Sequence, residues 1–189
     1  MSLNIYTIKH PLVSNWTSSL IHSPNEQNKQ KQETLKKISL CLIYEAMRKS
    51  IYIQELYIKN LDYINHINII SNNNINIVCC NFELHISLKH SLDKLIPNIS
   101  IYPIIMTSDQ KIININDKKT SKRKDNIIIL EPYLEAKKII QIINHIDSDY
   151  KLSNNIQICV IKVSTNEIQK LSEIYSHFSV YTTKIINDN

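Results

Sequence analysis

The sequence predicts an α/β protein: a parallel sheet flanked by helices, with an N-terminal helix and a β-hairpin ahead of it. Three observations predict it. From residue 75 onward, short runs rich in Ile and Val alternate with stretches of helical periodicity. That alternation is the signature of a parallel sheet covered on both faces. Upstream lie one long helical stripe and two Ile- and Tyr-rich segments of matched length, which suit paired strands.

In chain order, Asn25 to Lys49 is a helix with Leu35, Ile38, Leu42, Tyr44 and Ala46 on or near one stripe. Ser23 or Asn25 suits its cap, and Pro24 suits a first turn. Tyr52–Ile58 and Tyr63–Ile70 form the hairpin, and Asn72-Asn73-Asn74 supplies a turn without glycine, because Asn tolerates left-handed angles. Strand Ile75–Cys80 precedes a helix over Leu84–Leu95, and strand Ile99–Ile105 precedes a basic loop. Strand Ile127–Leu130 precedes a helix from Leu134 to Ile146. Strand Ile156–Val163 precedes a helix over Asn166–Tyr175, and a last strand covers Ser179–Thr183. Ligands of such sheets bind where loops leave the carboxyl ends of strands, here Asn81–His85, Thr107–Gln110 and Glu131–Lys138.

The 189 residues fit one domain with a core large enough to need no disulfide or metal. No apolar run approaches the ~18–20 residues of a membrane span, and the start Met1-Ser2-Leu3-Asn4 lacks the pattern of a secretory signal. A protein that stays where it is made is expected. Cys41, Cys79, Cys80 and Cys159 fit buried, reduced thiols. Cys79 and Cys80 fall on opposite faces of a strand and make a poor metal pair. His85 and His90 are five apart and fall on different helical faces, so no metal site is expected there either. Trp16 and Tyr6 suit packing, and the Tyr-rich segment from Tyr44 to Tyr63 suits core and subunit interface.

Glycine is absent, where an average usage of ~7% predicts about 13. Ile makes up roughly a fifth of the chain, and Asn and Lys are abundant. Coding bias in an A/T-rich genome, such as that of an organelle, accounts for both. Net charge is +5, and the one basic run is Lys118-Lys119-Thr120-Ser121-Lys122-Arg123-Lys124. It has no interleaved aromatic residue for base stacking, so a solvated loop is expected and nucleic acid is not.

Lys9-His10-Pro11-Leu12-Val13 and Tyr44-Glu45-Ala46-Met47-Arg48 resemble the opening KHPLV and the helical YEA-x-R of uracil phosphoribosyltransferases. Leu92–Pro97 resembles LLELIP, Ile127–Leu134 resembles VIVVDPML, and Val180–Ile185 resembles D-x-Y-T-A-x-I. The resemblance is collinear and spans nearly the whole chain. It implies a type I phosphoribosyltransferase-like fold, transfer of phosphoribose from phosphoribosyl pyrophosphate to uracil, and assembly through the N-terminal helix and hairpin.

At the positions the resemblance implies, the chemistry is altered. The family's phosphate loop, VDPMLATGGS, lets backbone N–H groups at a helix start converge on a 5′-phosphate. Here Glu131 keeps the acid, Ala136 replaces the threonine, and Lys137 and Lys138 replace both glycines. The pyrophosphate arginine of VPILRAGLG falls on Glu83, a reversal of charge beside a polyanion, and a second arginine falls on Ser108. The uracil-reading segment, Y-I/V-x-P-G-x-G-D-A-G-D, has no counterpart before Asn189. The expectation is a phosphoribosyltransferase-like homo-oligomer, without catalytic residues or cofactor, in a binding, regulatory or structural role. A chloroplast protein encoded in an algal plastid fits the composition. Two rivals remain: an active transferase with Lys137 and Lys138 in a reworked phosphate site, which would retain weak anion or nucleotide binding, and a nucleic-acid-binding regulator using the basic run.

Overall fold

The Ile-rich runs pair as parallel strands because each is apolar on both faces and has to be covered twice. A computed structural model describes residues 3–22, 28–48, 50–61, 63–70, 75–96, 99–106, 112–114, 126–150 and 156–187. The elements begin β1 (Asn4–Thr7), α1 (Pro11–His22), α2 (Asn28–Met47), β2 (Ile53–Lys59), β3 (Ile64–Ile70) and β4 (Ile75–Cys79). They continue α3 (Phe82–Leu95), β5 (Ile99–Met106), β6 (Ile112–Asn114) and β7 (Asn126–Tyr133). The last are α4 (Ala136–Tyr150), β8 (Ile156–Ser164), α5 (Thr165–Ile174) and β9 (Ser179–Ile186).

The main sheet has the order β1-β9-β8-β7-β4-β5-β6, parallel throughout except for β6 at one edge. Side chains alternate across it with a period of two. Ile128 and Leu130 of β7 face Ile38 and Leu42 of α2 and Leu88 of α3 in one core layer. Ile127 and Ile129 join Ile139, Ile142, Ile143 and Ile146 of α4 in the other. The i, i+3, i+4, i+7 spacing of those four isoleucines is what makes α4 a sheet-covering helix. Cys79 belongs to the first layer and Cys80 packs on the second, as opposite faces require.

Several boundaries differ from the sequence expectation. β1 and α1 were not anticipated: β1 is a short, exposed edge strand, and α1 opens on Pro11 in the first helical position. β7 runs on to Tyr133 through Pro132. That is tolerated because pairing with β4 ends at Cys79 opposite Leu130, so no partner strand on that side awaits a proline N–H. α4 starts at Ala136 rather than Leu134, because the Leu134 N–H is spent on the Lys162 carbonyl at 3.2 Å.

The tyrosines are a correction. Tyr44 is 68% exposed, and Ile43 takes its expected place in the core. Tyr52, Tyr57 and Tyr63 are also more than half exposed, so the segment contributes surface rather than core. β2 and β3 pair from Ile53 opposite Ile70 to Lys59 opposite Ile64, and every residue of both strands is exposed.

Candidate functional site

The topology fixes where a site belongs. From β4 the chain moves outward through α3 to β5, and from β7 it moves the opposite way through α4 to β8 and α5 to β9. β4 and β7 are neighbours, so the switch point lies between their carboxyl ends, the usual ligand crevice of an open α/β sheet. Cys80 and Asn81 stand on one side of it and Glu131 on the other, with the Cys80 N–H bonded to the Leu130 carbonyl at 3.2 Å.

Glu131 is almost fully buried. Its Oε1 accepts from Lys138 Nζ at 2.8 Å, and its Oε2 is buried without a hydrogen-bond partner. Burial alone would lower the Lys138 pKa. The hydrogen bond to Glu131 and that carboxylate's charge outweigh it and hold the ammonium above its ordinary value. Beside the pair, burial first and the Glu131 charge second push the Cys80 thiol far up. Burial also pushes Cys79 up to about 12. Neither thiol is a nucleophile at neutral pH.

The start of α4 is occupied as well. The Ala136 N–H donates to Glu167 Oε2 at 2.6 Å, across from the first turn of α5. Glu167 is placed there by its own helix: Ser164 is the N-cap of α5, and its Oγ accepts from the Glu167 N–H at 3.3 Å. Lys170 Nζ holds the other oxygen, Oε1, at 2.6 Å. A carboxylate thus sits at the helix N-terminus where a phosphate would be bound.

The structure therefore brings Glu131, Ala136 and Lys138 together, while Lys137 and Glu135 are exposed. Glu83 stands apart. It lies exposed in the first turn of α3, where it complements the helix dipole, and its Oε2 accepts from Gln32 Nε2 of α2 at 3.2 Å. Asn81 caps the same helix through Oδ1, which accepts from the Leu84 N–H at 2.9 Å. Ser108 and the basic run Lys118–Lys124 lie outside the described residues. His85 is buried and His90 exposed, and no cluster of three metal-ligating side chains occurs among the described residues. Glu167 escaped the sequence reading. The signal for it was the capping box Ser164-Thr165-Asn166-Glu167.

The remaining motifs also converge. Lys9 and His10, Glu45 and Arg48, and Tyr181 line one open groove of about 800 Å³. In it Tyr6 stacks on Tyr181 with ring centroids 5.0 Å apart, and Arg48 reaches Glu45 at 3.6 Å.

Two curated relatives match along nearly the whole chain. A uracil phosphoribosyltransferase homolog of Porphyra purpurea is 25% identical, over 100% of this chain and 92% of its own length. One of Pyropia yezoensis is 23% identical, over 98% of this chain and 89% of its own. This chain is similar along nearly its whole length to proteins named uracil phosphoribosyltransferase homologs. The AQ2163 protein of Aquifex aeolicus shares its fold, with a TM-score of 0.76 at 13% identity over 97% of this chain and 88% of that one. No protein-family model matches the chain. The switch point of the sheet holds a single nearly buried acid, Glu131 of β7, among the described residues. One oxygen of that acid is matched by Lys138.

Proposed function

We propose that this homologue no longer transfers phosphoribose and acts as a binding or structural protein, assembled as a homo-oligomer in the plastid. The observation that carries the reading is the filled phosphate position: Glu167 bonds the Ala136 N–H at 2.6 Å where an incoming phosphate would need that donor. A second carboxylate, Glu131, is already matched by Lys138 at 2.8 Å, which leaves the crevice close to electroneutral. Binding a polyanion there would require breaking a partly buried ion pair and displacing an internal anion of the same charge. Catalysis of pyrophosphate departure depends on preorganised positive charge, and among the described residues the partly buried lysine of the crevice, Lys138, is neutralised by Glu131. Steady-state assay of the purified protein with phosphoribosyl pyrophosphate and uracil tests this. No UMP above the no-enzyme rate is expected, and PRPP-dependent UMP formation would overturn it.

The active-transferase reading needs Lys137 and Lys138 as phosphate ligands. Lys138 is committed to Glu131, and only Lys137 is exposed. Calorimetric titration with phosphoribosyl pyrophosphate, UMP and inorganic phosphate separates the two readings. Micromolar binding abolished by Lys137→Ala and Lys138→Ala would favour the enzyme.

The oligomer rests on β2 and β3. A two-stranded hairpin is marginal on its own, and this one exposes Ile53, Leu56, Ile64 and Ile67. At its base lies an apolar groove of about 630 Å³ between α1, α2 and α3, lined by Leu12, Trp16, Tyr44, Leu95 and Ile70. A second copy of the chain suits both surfaces. The plastid assignment rests on the A/T-driven composition and on relatives from red algae.

A further inference from the structure

We propose that Lys162 and Lys184, with Tyr133 beside them, form an anion site for a small phosphate monoester at the carboxyl edge of the sheet. The register places Tyr133 opposite Lys162 and Lys162 opposite Lys184 on three consecutive parallel strands. Register partners on parallel strands share a face, and neighbouring strands lie about 4.8 Å apart. Both lysine side chains therefore leave one face of the sheet from neighbouring strands, in register with a tyrosine that is 51% exposed.

Both lysines are half-buried, and neither has an ion pair or hydrogen bond from its ammonium among the described residues. The nearby carboxylates are engaged elsewhere. Glu131 is held by Lys138, and Glu167 by Lys170 and the Ala136 N–H. The Lys162 carbonyl accepts from the Leu134 N–H at 3.2 Å, so the remaining acid of that loop is Glu135, which is exposed.

Like charges directly opposite one another weaken a strand pair. The β8–β9 ladder nevertheless continues past them to Ser164 opposite Ile186. A dianion bridging the two ammonium groups turns that repulsion into attraction, and the carboxyl end of the sheet is the face on which such folds take ligands. Lys acts on phosphate as a point charge, so two of them match a dianion, while the Tyr133 ring offers a flat apolar flank to the organic part of an ester. The site spans β7, β8 and β9, beside the crevice between β4 and β7, and does not depend on whether catalysis has been lost.

Thermal unfolding of the full chain tests it, with inorganic phosphate and phenyl phosphate titrated at constant ionic strength against chloride. The wild-type midpoint should rise saturably with phosphate, and Lys162→Gln or Lys184→Gln should weaken that response at least tenfold. Both variants should unfold at or above the wild-type temperature without phosphate, because each removes one half of a repelling pair. Lys137→Ala should respond like wild type. Phenyl phosphate should act at lower concentration than phosphate, with only that advantage lost in Tyr133→Ala. No saturable shift in the wild type, a shift retained in both Gln variants, or one lost in Lys137→Ala would overturn the site. Equal potency of the two phosphates would overturn the monoester.

Discussion

Glu167 Oε2 accepts the backbone N–H of Ala136 at 2.6 Å, so the first turn of α5 caps the start of α4 from thirty-one positions away in the chain. The carboxylate satisfies an N–H that a helix start otherwise leaves open, and it does so at the positive end of the dipole. The contact is a joint between two helices on one face of the sheet.

Removing that carboxylate should therefore cost stability. Glu167→Ala removes the cap of α4 and the ion pair with Lys170 together, an expected loss of about 1–2 kcal/mol, while the Ser164 cap on the residue 167 N–H remains. Glu167→Gln keeps an acceptor oxygen without the charge and should recover part of it. Urea unfolding followed by circular dichroism reads both. A Glu167→Ala variant as stable as wild type would show that the contact contributes nothing.

The Glu131–Lys138 pair makes a sharper demand, because Glu131 Oε2 is buried without a hydrogen-bond partner. Lys138→Met strands a nearly buried carboxylate and should destabilise by about 3 kcal/mol. The double variant Glu131→Leu with Lys138→Met should be much closer to wild type, since an apolar pair needs no compensation. Chemical unfolding of the two single variants and the double variant closes the cycle. Additive losses would mean that the pair is not coupled.

The parts of this fold that depend on period and composition were legible in the sequence. Ile127 to Leu130 announced a buried strand, and the spacing of Ile139, Ile142, Ile143 and Ile146 announced the helix that covers it. Glu131 could be placed at the strand's end by its position alone. The contacts that fill the crevice were not legible, because they join residues on different elements. Nothing local to Ala136 states that Glu167 will reach it, and the charge of Glu83 said nothing of its turning toward Gln32. Tyr44 failed for a related reason: it lies next to Ile43 on the helix, and which of two adjacent apolar residues faces the core is set by how α2 is rotated against the sheet.

Alkaline pH should unfold the protein by a route the buried groups define. Lys138 has a folded pKa above its usual 10.5, so its contribution is complete below that value and is lost as pH rises through the folded pKa. Cys79 keeps its proton in the folded chain up to about 12, whereas an unfolded thiol loses it near 9.0. Above the lower value the unfolded state binds fewer protons than the native one, so stability falls between the two. Cys159, also pushed up by burial, adds to the same loss. Each buried thiol should steepen the decline by up to about 1.4 kcal/mol per pH unit. Unfolding free energy measured from pH 7 to 11 should be flat below 9 and fall above it, less steeply in Cys79→Val and Cys159→Val. A flat profile through pH 10.5 would contradict the burial of these thiols.

The exposed hairpin leads to the last prediction. Leu56 and Ile67 are register partners, 46% and 43% exposed, on a ribbon whose outer edges have no partner strand among the described residues. Such an edge invites association unless something covers it. If a second copy does so, the wild-type chain should run as a dimer or larger closed assembly in size-exclusion chromatography with light scattering at micromolar concentration. Leu56→Glu with Ile67→Glu should shift it to monomer, because the charges would have to be buried in the contact. The circular dichroism of the variant should stay close to wild type, since β2 and β3 contribute neither of the two core layers around the main sheet. A wild-type chain that is monomeric at tens of micromolar would remove the self-association reading. A variant that stays oligomeric would move the interface away from the hairpin, toward the groove between α1, α2 and α3.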